Sequence, residues 1–284
     1  MTLREAFGVI SHILNLERID DAPLEAEILL CQVLEISKTQ LYTEPERLLT
    51  LVEIKYLQHL VQRRLLHEPT AYILGCCEFY GGNFYVDPRA FIPRPETELL
   101  VEKVIEFAQS YLSRNHFTIA DIGTGCGAIA VNLSVALPRA IIYATDISEQ
   151  ALEVADINCQ RYQTNGRVVL LHGNLLEPLP QPVDVIVANL PYVSSYELSK
   201  LSPEIINFEP MIALAGGKDG LDKIHSLVDQ IPGKICPGGC LFLEIGQGQD
   251  KAVTSLVNSY FPEASTELIP DLSGIDRVVK VIIS

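Results

Sequence analysis

The chain has 284 residues, of which 48% are hydrophobic, 7% aromatic and 20% charged. This composition predicts one or two folded domains with a sizeable buried core and excludes a disordered chain. The 36 acidic residues outnumber the 21 lysines and arginines, giving a formal net charge of −15. That balance argues against a protein that binds along nucleic-acid backbones and favours a cationic ligand or a basic partner.

The sequence carries no signal for membrane insertion, secretion or disulfide bonding. Its longest apolar uncharged run, 122–138, contains several glycines and is shorter than the roughly 20 residues of a spanning helix. The first residues lack the basic and apolar regions of a signal peptide, so none is expected. The seven cysteines are odd in number and include no C-x-x-C pair, which predicts reduced thiols and a cytoplasmic location.

The first third of the chain is predicted to be helical. Apolar residues recur at helical spacing over 3–16, 24–34 and about 45–66, and a short helical turn is expected at 70–74. These segments contain no chemical motif, and apolar stripes of this kind are usually core. We therefore interpret residues 1–75 as a small helical bundle that serves packing or recognition.

A short connecting region is predicted at 76–94. Two aromatic runs flank Gly81-Gly82, which indicates a β-hairpin. Pro93 and Pro95 then hold the chain extended. We place the link between two domains here.

From residue 95 to residue 284, predicted helices alternate with apolar strands. The predicted helices are 96–112, 128–137, 149–160, 221–231 and 251–260. The predicted strands are 118–121, 141–144, 168–171, 183–188, 241–244, 266–269 and 277–283. This alternation predicts an α/β fold with a mostly parallel sheet. The last two strands have no helix between them, so one of them should run antiparallel.

A glycine-rich turn follows the first of these strands. Three glycines occur in Asp121-Ile122-Gly123-Thr124-Gly125-Cys126-Gly127, where they allow a tight turn and a close approach of the backbone to a ligand. Asp146 closes the next strand and is placed to accept hydrogen bonds from ribose hydroxyls. The motif alone fits a sulfonium nucleoside, a nicotinamide or flavin dinucleotide, or a turn without a ligand.

The tetrapeptide Asn189-Leu190-Pro191-Tyr192 follows the strand that ends at Ala188. Ligands of such sheets bind at the carboxyl ends of the strands, so this loop and the glycine turn are expected to line one crevice. Asn189 offers a side-chain oxygen, Leu190 an uncommitted main-chain carbonyl and Tyr192 a flat face, a set that suits a planar amino group. An ordinary strand-to-loop turn is the alternative.

Five stretches together resemble the release-factor glutamine methyltransferases, once named for haem biosynthesis. They are 91–98 (Phe-Ile-Pro-Arg-Pro-Glu-Thr-Glu), 121–130, 189–192, the Glu-Pro at 209–210 with 213–214 and 217–221, and Gly-x-Asp-Arg at 274–277. The resemblance covers essentially the whole chain. It implies a seven-stranded Rossmann-like class I methyltransferase sheet behind a helical N-terminal domain.

The resemblance also implies a reaction: methyl transfer from S-adenosylmethionine, leaving S-adenosylhomocysteine, to the glutamine amide of the Gly-Gly-Gln motif in peptide chain release factors. Donor-binding positions that match the family are Gly123, Thr124, Gly125, Cys126, Gly127, Asp146, Asn174, Leu175 and Asn189. The positions that match its substrate-amide grip are Asn189, Leu190, Pro191 and Tyr192. No membrane and no sequence-specific nucleic acid is expected as a partner.

Two positions depart from the family pattern. Leu190 stands where relatives usually have proline, but leucine supplies the same main-chain carbonyl, so activity should survive with some loss of preorganisation. Asn174 is not followed by the usual aromatic residue, which weakens the expected adenine contact.

Alternatives of other kinds also fit parts of the sequence. They are an adenine-amino DNA or RNA methyltransferase, a glutamine methyltransferase acting on a ribosomal protein, and a non-catalytic binding module for the translation machinery. No metal site is predicted, because the histidines and cysteines lack ligand spacing. Arg94 and Glu96 are candidates for the rim of the site or for an inter-domain ion pair.

Overall fold

The computed structural model describes residues 1–111 and 116–283. Its helices are α1 Leu3–Leu16, α2 Ala22–Leu34, α3 Lys38–Thr43, α4 Leu51–Leu65, α5 Thr70–Leu74, α6 Glu98–Tyr111, α7 Ala128–Ala136, α8 Glu149–Arg161, α9 Ser195–Leu198, α10 Pro203–Phe208, α11 Asp222–Gln230 and α12 Asp250–Tyr260. Its strands are β1 Cys76–Phe79, β2 Gly82–Tyr85, β3 Phe117–Ile122, β4 Ala140–Asp146, β5 Val168–His172, β6 Val183–Ala188, β7 Ile235–Glu244, β8 Ser265–Pro270 and β9 Asp276–Ile282. Single 3₁₀ turns lie at Pro95–Thr97 and Met211–Ala213.

The first of two compact units contains residues 1–75 together with 202–208, so α10 belongs to the helical unit. Apolar faces of α1, α2 and α4 meet in its core. The expected helix from about 45 to 66 is wrong at its start, because α4 begins only at Leu51. Thr50 caps it in a reciprocal pair of hydrogen bonds with Glu53. The separate helix α3 precedes it.

A buried arginine ties α10 to this unit. The side chain of Arg64 on α4 is 3% exposed and contacts Glu25 at 3.3 Å and Glu204 at 2.5 Å. A buried charge is costly unless it is paired, so the two carboxylates compensate the guanidinium.

The second unit contains the remaining described residues and holds the large sheet. The strand order is β5-β4-β3-β6-β7-β9-β8. All pairs are parallel except those of β9, which runs antiparallel to both β7 and β8. The predicted α/β fold and the antiparallel strand near the chain end are therefore confirmed.

The strand order places the two predicted loops side by side. β3 lies between β4 and β6. The chain adds β4 and β5 on one side of β3 and then crosses over to add β6 on the other side. This reversal brings the carboxyl ends of β3, β4 and β6 to one edge of the sheet, where a crevice forms. The residues after Ile122, Asp146 and Ala188 all emerge at this edge.

Three local predictions differ in detail from the structure. The hairpin is confirmed, but its turn is Tyr80-Gly81 rather than Gly81-Gly82, and both turn residues have left-handed φ. β7 begins at Ile235, six residues before the start of the strand predicted at 241–244. The helix predicted at 96–112 is a 3₁₀ turn followed by α6, and residue 112 lies outside the described residues.

Within residues 1–111 and 116–283, no helix is long and apolar enough to cross a membrane. Nor does that part of the chain hold a group of three His, Cys, Asp or Glu side chains arranged to bind a metal.

Candidate functional site

The glycine-rich turn between β3 and α7 has a backbone that only glycine adopts readily. Gly123, Gly125 and Gly127 have φ of +73°, +56° and +80°. A Cβ at Gly127 would lie 3.1 Å from the Cβ of Ala155, so this glycine lets α7 pack against α8. A Cβ at Gly125 would meet nothing within 4 Å.

Main-chain hydrogen bonds attach this turn to the end of β4. The amides of Gly123 and Thr124 both donate to the Thr145 carbonyl at 2.9 Å. The Asp146 carboxylate accepts from the amides of Gly125 and Ser148, also at 2.9 Å each. The glycine turn and Asp146 at the end of β4 are therefore rigidly joined.

The environment of Asp146 leaves it ready to accept further hydrogen bonds. Burial raises its pKa, and the amides of Ser148 and Gly125 oppose that effect. Each carboxylate oxygen has used one of its acceptor positions on an amide and keeps another. Vicinal hydroxyl groups are the donors that such a carboxylate suits.

The buried environment of Asp121 was not predicted from the sequence. It is fully buried, and its Oδ2 accepts from the Thr124 hydroxyl at 2.7 Å and the Ala130 amide at 3.1 Å. Its Oδ1 is buried without a partner in the described chain. Burial raises the pKa of Asp121 to about 7, against the hydrogen bonds from Thr124 and Ala130.

The tetrapeptide after β6 has its first side chain fixed in orientation. Asn189 Nδ2 donates to the Thr97 hydroxyl at 2.9 Å. That contact uses the amino end of the amide and leaves Oδ1 as its available acceptor. Within residues 1–111 and 116–283, no hydrogen-bond donor contacts the Leu190 carbonyl. Two carbonyl oxygens are thus uncommitted in successive residues.

The other end of the tetrapeptide is held by the loop after β7. Gln249 donates from Nε2 to the Tyr192 carbonyl at 3.2 Å, and its Oε1 accepts from the Gly246 amide at 2.9 Å. The Tyr192 hydroxyl donates to Glu244 Oε1 at 3.4 Å. Burial raises the pKa of Tyr192, and the nearby Glu244 carboxyl adds to the rise.

One cavity in the second unit brings the predicted residues together. Its empty volume is about 1300 Å³ when the open mouth is included. Predicted residues that line it are Gly123, Thr124, Gly125, Cys126, Asp146, Asn174, Leu175, Asn189, Leu190, Pro191 and Tyr192. Gly127 is the predicted residue that does not, because it faces α8.

Asn174 and Leu175, the position expected to edge an adenine, are among the residues that line the cavity. Leu175 has a left-handed φ of +51°, which is strained for a leucine. The Asn174 amide donates to Glu177 at 2.8 Å, so its nitrogen has a partner in the chain.

Several lining residues were missed or given no role by the sequence. Thr97, Phe91 and Ile212 line the cavity, and both Phe91 and Thr97 lie in the stretch 91–98 that resembles the family. Arg94 pairs with Glu209 in the same unit and lies 4.5 Å over the Phe91 ring. The inter-domain alternative for Arg94 is therefore wrong. No local pattern marks the contacts of Arg94 with Glu209 or of Thr97 with Asn189, since these partners are distant in sequence.

Fold and site together define a class I methyltransferase: a seven-stranded sheet with one antiparallel strand, and a glycine turn beside an acidic strand end at the reversal of strand order. The solved structure of a methyltransferase from Pyrococcus furiosus has the same fold, with a TM-score of 0.51 at 19% identity over 72% of this chain and 89% of that chain.

Sequence comparison specifies the family. Residues 5–75 match the PrmC N-terminal domain and residues 96–209 the methyltransferase small domain. A release factor glutamine methyltransferase of Thermodesulfovibrio yellowstonii is 41% identical over 90% of each chain. One of Moorella thermoacetica is 39% identical over 98% of this chain and 97% of that protein. The chain belongs to the release factor glutamine methyltransferase family.

Proposed function

We propose that the cavity binds S-adenosylmethionine and the glutamine side chain of a Gly-Gly-Gln tripeptide in a peptide chain release factor, and that the enzyme methylates the amide nitrogen of that glutamine. One observation carries the proposal. Asn189 Nδ2 is bonded to Thr97, so that Oδ1 is free beside the uncommitted Leu190 carbonyl in the lining of the cavity. Two such acceptors match the two N–H bonds of a primary amide.

The residues around the glycine turn fit the donor. Gly123 and Gly125 line the cavity, and the space beside Gly125 is open, so a ligand can approach the main chain. Asp146 is fixed by two amides and keeps acceptor capacity for ribose hydroxyls. We assign the methionine part to 123–127, with Gly127 acting through helix packing, and the adenine edge to Asn174 and Leu175. The net charge of −15 also favours a cationic donor over a neutral product.

The chemical task of the protein is to make an amide nitrogen nucleophilic. The lone pair of an amide nitrogen is delocalised into the carbonyl group, which makes it a poor nucleophile. When bound, the donor supplies an electrophilic methyl group on a sulfonium centre. Asn189 and Leu190 accept the two N–H bonds and direct the lone pair toward that methyl group.

The same two oxygens act more strongly as the reaction proceeds. Positive charge develops on the nitrogen while the new bond forms, so fixed acceptors stabilise the transition state more than the bound substrate. Pro191 keeps Leu190 extended, and the Tyr192 ring forms a wall of the cavity. The sulfur–methyl bond would break as the nitrogen–methyl bond forms, leaving S-adenosylhomocysteine, and the methylated nitrogen would then lose its extra proton to solvent. No general base is needed before the methyl group moves.

The proposal also assigns roles to the regions of the chain. Residues 1–75 would recognise the release factor away from its tripeptide, residues 76–94 connect, and residues 95–284, apart from the segment 202–208 that belongs to the helical unit, carry the reaction. The name of the relatives at 41% and 39% identity supports a release factor as the protein substrate. Under this proposal the reaction occurs in the cytoplasm, where release factors work.

Mass spectrometry of a release factor after incubation with the enzyme and S-adenosylmethionine tests the proposal. We expect one added methyl group, located on the glutamine of Gly-Gly-Gln. A release factor with that glutamine replaced by glutamate is the matched control and should remain unmodified. Methylation of an adenine oligonucleotide or of a ribosomal protein, with none on the release factor, would overturn the proposal.

A further inference from the structure

The peptide plane between Leu190 and Pro191 makes no hydrogen bond to the part of the chain that the structure describes. Its carbonyl, that of Leu190, meets no donor there, and its nitrogen belongs to a proline and carries no hydrogen. The proposed function gives this same carbonyl an N–H bond of the substrate amide to accept. The direction of the carbonyl therefore depends on how the residues on either side of the plane are fixed.

The chain is fixed on both sides of this plane. On one side, the side chain of Asn189 is hydrogen-bonded to Thr97 at 2.9 Å. On the other side, the main chain of Val193 bonds to the loop at 214–216, at 3.1 Å for its amide and 2.9 Å for its carbonyl. Tyr192 lies between Val193 and the plane, so the support of Tyr192 decides how firmly the plane is held on this side.

Gln249 supports Tyr192 from the loop after β7. Its Nε2 donates to the Tyr192 carbonyl at 3.2 Å and to the Gly220 carbonyl at 3.4 Å, and its Oε1 accepts from the Gly246 amide at 2.9 Å. A glutamine amide has two N–H donors, and both are used here on carbonyls from different loops. Because carbonyls only accept and an amide N–H only donates, a single orientation of the Gln249 side chain satisfies all three partners.

Two glycines let the main chain come close enough for this arrangement. A Cβ at Gly220 would lie 2.2 Å from the Tyr192 carbonyl oxygen, and a Cβ at Gly246 would lie 3.0 Å from the Tyr192 ring. Gly220 also has a φ of +83°, which other residues rarely adopt. The stretch at 217–221, which resembles the family, therefore packs closely against the main chain of Tyr192.

We propose that Gln249 is a positioning residue for methyl transfer, which holds the Leu190 carbonyl in the direction from which it accepts an N–H bond of the substrate glutamine. This inference rests on the proposed function, because that function assigns the acceptor role to Leu190. Gln249 lies outside the lining of the cavity, so it acts through Tyr192 rather than by contact with substrate or donor. An acceptor that is fixed beforehand stabilises the developing charge without reorganising, so the effect should appear in kcat.

The first experiment compares Gln249→Met with Gln247→Met, using a release factor as substrate. Methionine has nearly the length of glutamine but forms none of the three hydrogen bonds, so kcat should fall by about 10- to 100-fold. The Kd of the donor, measured by calorimetry, should stay within about threefold, because the glycine turn and Asp146 are untouched. Gln247 is an exposed residue of the same loop, and its variant should keep wild-type kcat.

Gln249→Glu separates the donated hydrogen bonds from the accepted one. A carboxylate can still accept from the Gly246 amide, but it has no hydrogen for the carbonyls of Tyr192 and Gly220. We expect kcat to fall at least as far as in Gln249→Met. Donor binding retained by either variant shows that the sheet and the glycine turn are folded, so that a loss of kcat reports on the tetrapeptide.

A double variant tests the step through the peptide plane. Proline at position 190 fixes φ of that residue and so replaces part of the lost support. Leu190→Pro should therefore raise kcat by about tenfold in the Gln249→Met background, against no more than about threefold in the wild type. Effects of the two substitutions that simply multiply would overturn the inference.

The remaining outcomes separate this inference from the proposed function. An unchanged kcat in Gln249→Met would overturn the inference alone. So would a loss of donor affinity as large as the loss of kcat, because Gln249 would then support the cavity as a whole. A wild-type enzyme that methylates no release factor would overturn both the inference and the proposed function.

Discussion

The two loops at the sheet edge are held in place by different means. The glycine turn at 123–127 is held mainly by main-chain hydrogen bonds to Thr145 and by the Asp146 carboxylate. The tetrapeptide at 189–192 is held by the side chains of Thr97, Gln249 and Glu244. Most side chains of the first loop can therefore be substituted, although a Cβ at Gly127 would destabilise it. The second loop depends on particular buried polar side chains. We infer that donor binding rests on backbone shape and the orientation of the substrate on side-chain chemistry.

The largest expected effect is that of Asn189→Ala, which breaks the second loop alone. Removing one fixed acceptor of the transition state should lower kcat by about 100- to 1000-fold. The affinity for the donor, measured by calorimetry, should stay within about threefold because the glycine turn is untouched.

Asn258→Ala on the exposed side of α12 is the control and should keep wild-type kcat. If Asn189→Ala turned over normally, the assignment of Asn189 would be wrong.

The next effect is that of Asp146→Ala, which breaks the first loop. The amides of Gly125 and Ser148 lose their acceptor, and the ribose loses its own, so the Kd of the donor should rise by about 10- to 100-fold. At saturating donor, kcat should change much less.

Asp156→Ala, on the surface of α8, provides the comparison and should bind donor as the wild type does. Equal donor affinity in Asp146→Ala would contradict the role given to this carboxylate.

A smaller effect, on stability, is expected from Gly127→Ala. Its φ of +80° and the 3.1 Å approach to Ala155 should lower the free energy of unfolding by about 1–2 kcal/mol. Urea denaturation measures this. Gly166→Ala, at a position with nothing within 4 Å, should stay within about 0.5 kcal/mol of wild type. Equal stability of the two variants would show that the turn tolerates a Cβ after all.

The smallest effect is that of Leu190→Pro, which introduces the residue usual in the family. The carbonyl remains and the backbone becomes stiffer, so kcat should rise by no more than about threefold. Steady-state kinetics on a release factor checks this. A large loss would mean that the Leu190 side chain, which packs near Gly123, matters more than the carbonyl.

Much of the fold was predictable because it depends on local patterns. Apolar strands alternating with helices predicted the sheet, and the glycine and proline motifs predicted its two loops. The start of α4 was also readable, since Thr50 and Glu53 have the spacing of a capping box, but the apolar spacing that continues upstream from about 45 concealed it.

The buried polar contacts were not predictable in the same way. Thr97 and Asn189 are 92 positions apart, and Tyr192 and Glu244 are 52 apart. Glu244 ends an otherwise apolar strand, where a sequence pattern gives it no distinction from a solvent-facing terminus. Only the tertiary structure reveals that these groups meet.

The inclusion of α10 in the helical unit has a practical consequence for protein engineering. A gene fragment encoding only residues 1–75 would omit Glu204, and Arg64 would be left with a single carboxylate in a buried position. Such a fragment should express as a destabilised protein. An intact module would require residues 202–208 to be restored.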